Sequence, residues 1–247
     1  MFRGRERLGQ WRMSTRHDRT ADEYAAALSQ LMGLKGIDYL EVGAIIISSV
    51  VPLAVTPLRW MSRDFFHCDA YVVREDFDPP IQIKINNSQE VGSDRVVNAV
   101  AARLRYDLPL IIIDFGTATT FDVVDEDGAY CGGAIAPGIN LSLEALTQAA
   151  ASLPRIAVEA PDSVIGRSTV DAMRSGIYWG YVSLIEGLID RIEREYGKTM
   201  TVVGTGGLAT LFAENCPKMG RVDNDLTMDG LLEIYELNRD LLSGMTH

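Results

Sequence analysis

The stretch "IIIDFGTATTFDVVD", residues 111–125, decides how this chain is read. Three isoleucines in a row suit a buried strand, because β-branched side chains pack well on a pleated surface. The run ends on Asp114. A carboxylate at the mouth of a buried strand is costly unless a cation or hydrogen-bond donors satisfy it. Gly116 permits a tight turn, and Thr117, Thr119 and Thr120 bring hydroxyls in behind it. A second strand follows to about Val124, and "DEDG" (125–128) closes a hairpin. Amides and hydroxyls suit phosphate oxygens, and a carboxylate suits a metal ion. The turn therefore carries the parts of a phosphate-and-cation site. A plain strand end, with an Asx-turn and threonines chosen for β propensity, accounts for the same residues equally well. The triplet Asp-Phe-Gly also occurs in protein kinases, but this chain has neither the V-A-I-K strand nor the H-R-D loop that accompany it there.

Strands and helices alternate outward from this segment, without repeats or low-complexity linkers. "TADEYAAALSQLMG" (20–33) opens with a capping box, Thr20 and Glu23, and ends on Gly33. "AIIISSVV" (44–51) is a buried-strand candidate stopped by Pro52, a helix is expected over much of 56–66, and "AYVV" (70–73) is another short strand. Residues 94–105 are helical by period, with Val97, Val100, Ala101 and Leu104 on one face. Later helices are expected at 141–152 and from Ser168 to about Glu195. A strand, glycine loop and helix follow in "TMTVVGTGGLATLFAE", and "LTMDGLLEIYELNRDLL" closes the chain with Thr227 as N-cap. The class is α/β, and the hairpin makes the sheet mixed. A boundary near residue 106 divides the chain into halves 1–105 and 106–247.

The 247 residues suffice for a substantial core, and 47% apolar content excludes wholesale disorder. No apolar run nears the roughly 18 residues of a membrane span, and the N-terminus lacks a signal-peptide core. A net charge of -11 disfavours nucleic acid, whose phosphates repel an acidic surface. Cys68, Cys131 and Cys216 are distant and odd in number, which points to a reducing cytoplasm. His17, His67 and His247 have no metal-ligand spacing. Six arginines crowd the first 19 residues, and Phe2, Leu8 and Trp11 among them favour a polar edge hairpin over a transit peptide.

Three further motifs carry chemistry. In "EVGSDRVVNAVAARL" (90–104), Asp94 and Arg95 stand at the positive end of a helix dipole. Asp94 there is either a cap or a carboxylate base beside an anion-holding Arg, and capping is the commoner role. In "VVGTGGLA" (202–209), Gly204, Gly206 and Ala209 fit a loose dinucleotide fingerprint, with Asp223 at a plausible distance. The tail is too short for a complete nucleotide-binding half, so a glycine turn against a base or sugar, or a plain strand-to-helix turn, is the better reading. In "GRSTVDAMRSGIYWGYV" (166–182), Gly176 and Gly180 share a helix face suited to close packing, within the chain or across a dimer. Thr169 near that helix start can cap or donate to a ligand.

Taken in order, the motifs resemble one family, the type III pantothenate kinases of the actin-like ATPase and sugar-kinase superfamily. The resemblance runs through "WRMST", "RTADEY", "IISSVVP", "EVGSDRVVNAVAA", "DFGTATTFD", "GGAIAPGI", "LPR", "STVDAMRSGIYWG" and "LTMDGL". It implies an actin-like, ribonuclease H-like fold of two similar half-domains. It also implies phosphoryl transfer from ATP, with Mg²⁺, to the primary hydroxyl of pantothenate, the first step of coenzyme A synthesis. By the same resemblance Asp94 is the base, and Gly92, Ser93 and Arg95 hold pantothenate, Arg95 by its carboxylate. Asp114 is a ligand to potassium or ammonium, Thr117 with Gly116 contacts ATP phosphate, and Thr169 touches pantothenate from the partner subunit of a homodimer.

Two departures stand against the family pattern. Ile85, in "REDFDPPIQIKINNSQ" (74–89), takes the place of the usual Tyr in the acceptor pocket. The family's opening strand and D-x-G-N-T phosphate loop, about 15 residues, do not precede "MFRGRERLGQW". An internal start codon is the expected cause, and low ATP affinity and kinase activity are expected of the 247 residues alone. The alternatives are a non-catalytic dimeric relative serving gene regulation, and a kinase for another small alcohol.

Overall fold

The computed structural model describes residues 1–239, apart from 15, 17 and 151. Thr15 of "WRMST", His17, His247 and the last residues of the segment expected as the closing helix, from 240 on, lie outside the described residues. The chain forms two compact units. Unit 1 comprises 1–80, 89–101 and the C-terminal segment from Thr227; unit 2 comprises 81–88 and 102–226.

In unit 1 the arginine-rich start is the expected hairpin, β1 (Phe2–Arg3) antiparallel to β2 (Glu6–Arg7). Helix α1 (Ala21–Gly33) has its capping box in place, with Thr20 accepting from the Glu23 amide and Glu23 accepting from the Thr20 amide. Strand β3 (Ala44–Ile47) is shorter than expected. Ser48 and Ser49 end it because their hydroxyls bind elsewhere, Ser49 to Val51 and Ser48 to Ser93. Helix α2 (Pro52–Met61) starts earlier than expected, with Pro52 in its first turn, where the missing N–H costs nothing. Strand β4 (Asp69–Val72) pairs parallel with β3.

Helix α3 (Ser93–Arg105) buries Val96, Val97, Val100 and Ala101 completely, whereas Leu104 is 52% exposed. Leu104 was expected on the buried face; it lies past the core that covers Val97 and Val100.

Unit 2 holds a five-stranded sheet of order β7-β6-β5-β8-β9. Its strands are β5 (Leu110–Phe115), β6 (Ala118–Val124), β7 (Tyr130–Pro137), β8 (Thr201–Gly206) and β9 (Arg221–Val222). β6 runs antiparallel to β5 and β7, while β8 is parallel to β5 and β9. The sheet is therefore mixed, with the isoleucine strand at its centre. Ile111, Ile112 and Ile113 are all fully buried, so β5 is covered on both faces. Each such side chain contributes about 1.5–3 kcal/mol of burial. Ile111 and Ile113 join Phe115, Phe121, Tyr178, Ile185 and Phe212 in one cluster.

The helices of this unit are α4 (Ile139–Ala149), α5 (Thr169–Tyr196) and α6 (Ala209–Ala213). The last helix, α7 (Leu226–Leu237), belongs to unit 1. Thr227 was expected as its N-cap. It lies inside the helix instead, and its hydroxyl donates to Asn98 Oδ1 at 2.7 Å.

Two segments thus join units that a single cut near 106 does not anticipate. α7 is fastened to α3 by the Thr227–Asn98 bond and by Gly230, where a β-carbon would come within 2.4 Å of the Val97 carbonyl oxygen. Residues 81–88 join unit 2 because the Tyr130 amide donates to Gln82 and the Lys84 amide donates to Tyr130.

Candidate functional site

The register of β5 and β8 places Asp114 opposite Thr205 and Phe115 opposite Gly206. Gly206 has φ +90°, a conformation few L side chains adopt. A β-carbon there would stand 2.6 Å from Asp114 Oδ1 and 2.7 Å from the Phe115 carbonyl oxygen. The Phe115 amide nitrogen is 2.8 Å from the same place, so the end of β5 packs directly on Gly206. The "VVGTGG" turn therefore serves the strand end that carries Asp114. A carboxylate and a carbonyl are both oxygen donors of the kind a hard cation takes. Among the described residues there is no cluster of three His, Cys, Asp or Glu side chains for a metal.

The three threonines behind Asp114 separate. Thr119 is buried, and its hydroxyl bonds Tyr181, which in turn donates to the Pro137 carbonyl at 3.0 Å. Burial pushes the Tyr181 hydroxyl pKa up. Thr120 donates to Asp122 Oδ2 at 2.9 Å, and Tyr130 donates to Oδ1 at 2.7 Å, so the fully buried Asp122 carboxylate is held from both sides. Thr117 alone is exposed. Gly116 N–H donates to the Ala118 carbonyl at 3.0 Å, which closes the turn on itself.

Thr117 opens on a cleft of about 440 Å³ lined by Phe115, Gly116, Asn140, Leu141, Glu144 and the Gly207–Leu208 turn. Gly138, the N-cap of α4, makes this possible. Its amide donates to the Thr117 carbonyl at 3.0 Å, and a β-carbon there would come within 2.3 Å of that oxygen. The positive end of α4 is thereby set beside the Gly116–Thr117 turn, an arrangement that favours anions. Sequence reading overlooked Asn140, Leu141, Glu144 and Leu208. The available signal was Pro137-Gly138, a strand stop and close-approach glycine directly ahead of a helix.

In unit 1, α3 begins at Ser93, just past Gly92. The Ser93 hydroxyl accepts from Ser48 at 2.9 Å and donates to the Ser49 carbonyl at 3.1 Å, which ties the helix start to the end of β3. Ser93 is 6% exposed, so its hydroxyl is committed within the chain. Asp94 Oδ1 accepts from the Arg95 amide at 2.8 Å. The same oxygen stands 2.6 Å from where a β-carbon of Gly92 would be. The carboxylate is thus folded onto the backbone of the helix start, with Arg95 next to it in sequence. Gly92, Ser93, Asp94 and Arg95 form one local group, as their adjacency requires.

Thr169 is the first residue of α5, exposed, and the cap is Ser168, which accepts from the Asp171 amide at 3.1 Å. A β-carbon on Gly176 or Gly180 would meet no other element among the described residues, so this face of α5 packs against none of them. Ile85 lies 3.4 Å from the β-carbon position of Gly132. Asp223 is held by Tyr106 at 2.9 Å and Arg105 at 3.1 Å, which fits a structural link within unit 2.

The model of a family described as type III pantothenate kinase matches residues 1–191. A type III pantothenate kinase of Paramagnetospirillum magneticum is 55% identical over 237 residues, 96% of this chain and 91% of the relative. One from Rhodospirillum rubrum is 54% identical over 240 residues, 97% of this chain and 93% of the relative. A solved structure from Campylobacter jejuni, described as a Baf family transcriptional activator, shares the fold. Its TM-score is 0.57 at 20% identity, covering 82% of this chain and 87% of that one. The identity to the first two and the family match together show that this chain belongs to the type III pantothenate kinase family.

Proposed function

We propose that this chain transfers the terminal phosphoryl group of ATP to the primary hydroxyl of pantothenate, the first step of coenzyme A synthesis. The observation that carries this reading is the Gly116–Thr117 turn, open on a cleft at the start of α4, in a chain whose relatives are named kinases. Phosphoryl transfer is driven mostly by positioning and charge neutralisation, and a turn, a helix dipole and cation-binding oxygens supply both.

In this reading unit 2 serves the donor. Thr117 and the start of α4 hold phosphate oxygens, and Mg²⁺ arrives with ATP. Asp114 and the Phe115 carbonyl hold potassium or ammonium, which offsets phosphate charge. Unit 1 serves the acceptor. Asp94 takes the hydroxyl proton, Arg95 pairs with the pantothenate carboxylate, and Gly92 gives the Asp94 carboxylate room. Ser93 contributes by anchoring the helix start. The open Gly176–Gly180 face supports a homodimer in which Thr169 reaches the partner's acceptor site. Light scattering that reads a monomer at micromolar concentration would remove that part.

The test is mass-spectrometric detection of phosphopantothenate from ATP, Mg²⁺ and pantothenate. It is run on the 247-residue chain and on the chain with a D-x-G-N-T strand and loop placed ahead of it. Product in either arm supports the reading; product in neither overturns it. Ile85, which by the family resemblance takes the place of a Tyr, favours a second reading, another small alcohol as acceptor, and phosphorylation confined to such an alcohol in a substrate panel would establish it.

A further inference from the structure

The cleft beside Thr117 has a single charged side chain in its lining, Glu144. Phosphate oxygens repel a carboxylate, so Glu144 has no use at the phosphate end. Helix α4 sets the distance between the two. It begins at Gly138, fixed against the Thr117 carbonyl, and Glu144 lies six residues further on. At 1.5 Å per residue that is about 9 Å along the axis. Asn140 and Glu144 are one turn apart and share the exposed face, while Ile139 and Leu143 are buried on the other. Gln148 Nε2 donates to Glu144 Oε1 at 3.1 Å and orients the carboxylate.

The cleft therefore changes character along α4. Its Thr117 end offers a hydroxyl and a positive helix terminus. Further along stand an amide and a carboxylate. Leu141, 47% exposed, and Leu208 supply apolar surface. A nucleotide has the same succession: phosphates, a sugar with two hydroxyl donors, and a flat base. We infer that Glu144 accepts hydrogen bonds from the ribose 2′ and 3′ hydroxyls of the bound nucleotide and so selects ribonucleotides. This assignment rests on the reading of the cleft as a nucleotide site. A site built to receive a hydroxyl discriminates strongly against the analogue that lacks it, because its carboxylate is then left facing no donor.

The experiment is calorimetric titration of the full chain with ADP, 2′-deoxy-ADP and 3′-deoxy-ADP, with and without Mg²⁺, for the wild type, Glu144→Gln and Thr117→Val. The wild type is expected to bind each deoxy analogue about tenfold more weakly than ADP, the size of one charge-assisted hydrogen bond. Glu144→Gln is expected to weaken ADP most and each analogue less, since each analogue keeps one hydroxyl for the carboxylate, so that the three ligands then bind alike. Thr117→Val is expected to weaken all three equally. Equal binding of the three by the wild type overturns the assignment, as does discrimination that survives in Glu144→Gln. A Glu144→Gln effect confined to the Mg²⁺ dependence also overturns it, since the carboxylate would then serve the metal. If none of the three binds to the wild type, either as the 247 residues or with a D-x-G-N-T strand and loop placed ahead of it, the nucleotide reading itself fails. Glu144 is exposed, and an unchanged melting temperature for Glu144→Gln excludes misfolding as the cause.

Discussion

Asp114 Oδ1 lies 2.6 Å from the place that a β-carbon on Gly206 would take, and Gly206 holds φ +90°. The two residues come from different strands and meet only because β5 and β8 are in register. Gly206→Ala has to carry both a strained backbone and a collision with two oxygens. We expect it to lower stability by about 2 kcal/mol or more, and to weaken nucleotide binding. Urea unfolding and nucleotide titration check this. An unchanged urea midpoint would show that the strand end relaxes freely.

Asp94→Asn keeps the side-chain shape and removes the base. In the chain with a D-x-G-N-T strand and loop placed ahead of it, turnover is expected to fall at least about a hundredfold, with pantothenate affinity within a few fold and unfolding unchanged. Steady-state kinetics beside calorimetry separates the two effects. Retained turnover would take Asp94 out of the base role.

The Thr227–Asn98 bond fastens α7 to α3 with Asn98 fully buried. Thr227→Val removes the donor and leaves a buried carbonyl oxygen short of it, at a cost of about 1–2 kcal/mol. Thr227→Ser should recover most of the loss. A serine variant as unstable as the valine one would point to methyl packing in place of the hydrogen bond.

Asp125 shows a pH dependence whose sign can be worked out. Burial opposes its ionisation, but Lys84 at 2.6 Å, the Ala129 amide and Cys131 outweigh it and hold the carboxyl below its ordinary 3.8. A carboxyl depressed on folding adds stability above the unfolded value, and the contribution disappears as pH falls through the folded value. Lys84→Met removes the ammonium, so acid unfolding below about pH 4 should begin at higher pH than in the wild type. Circular dichroism against pH reads the midpoint. Coincident acid transitions would dismiss the pair as a factor.

Much of the fold was legible locally. The Thr20–Glu23 box, the isoleucine run and the Ser168 start of α5 each depend on neighbours within a few residues, and each appears where the pattern put it. Thr227 shows the limit. A threonine near a helix start reads as a cap, yet a buried Asn98 takes its hydroxyl across 129 positions of chain. Leu104 has the right period and no core to meet.

The residue order by itself determined the α/β class, the central hydrophobic strand ending on a carboxylate, and the succession of motifs that marks the family. Side-chain chemistry and spacing are local properties, and the chain displays them unfolded. Tertiary structure decided which of three threonines faces a cleft, why Gly206 is glycine and where Glu144 stands. Those outcomes depend on strand register and on the approach of Gly138 to Thr117, contacts formed only when distant segments pay the entropy of closing their loops.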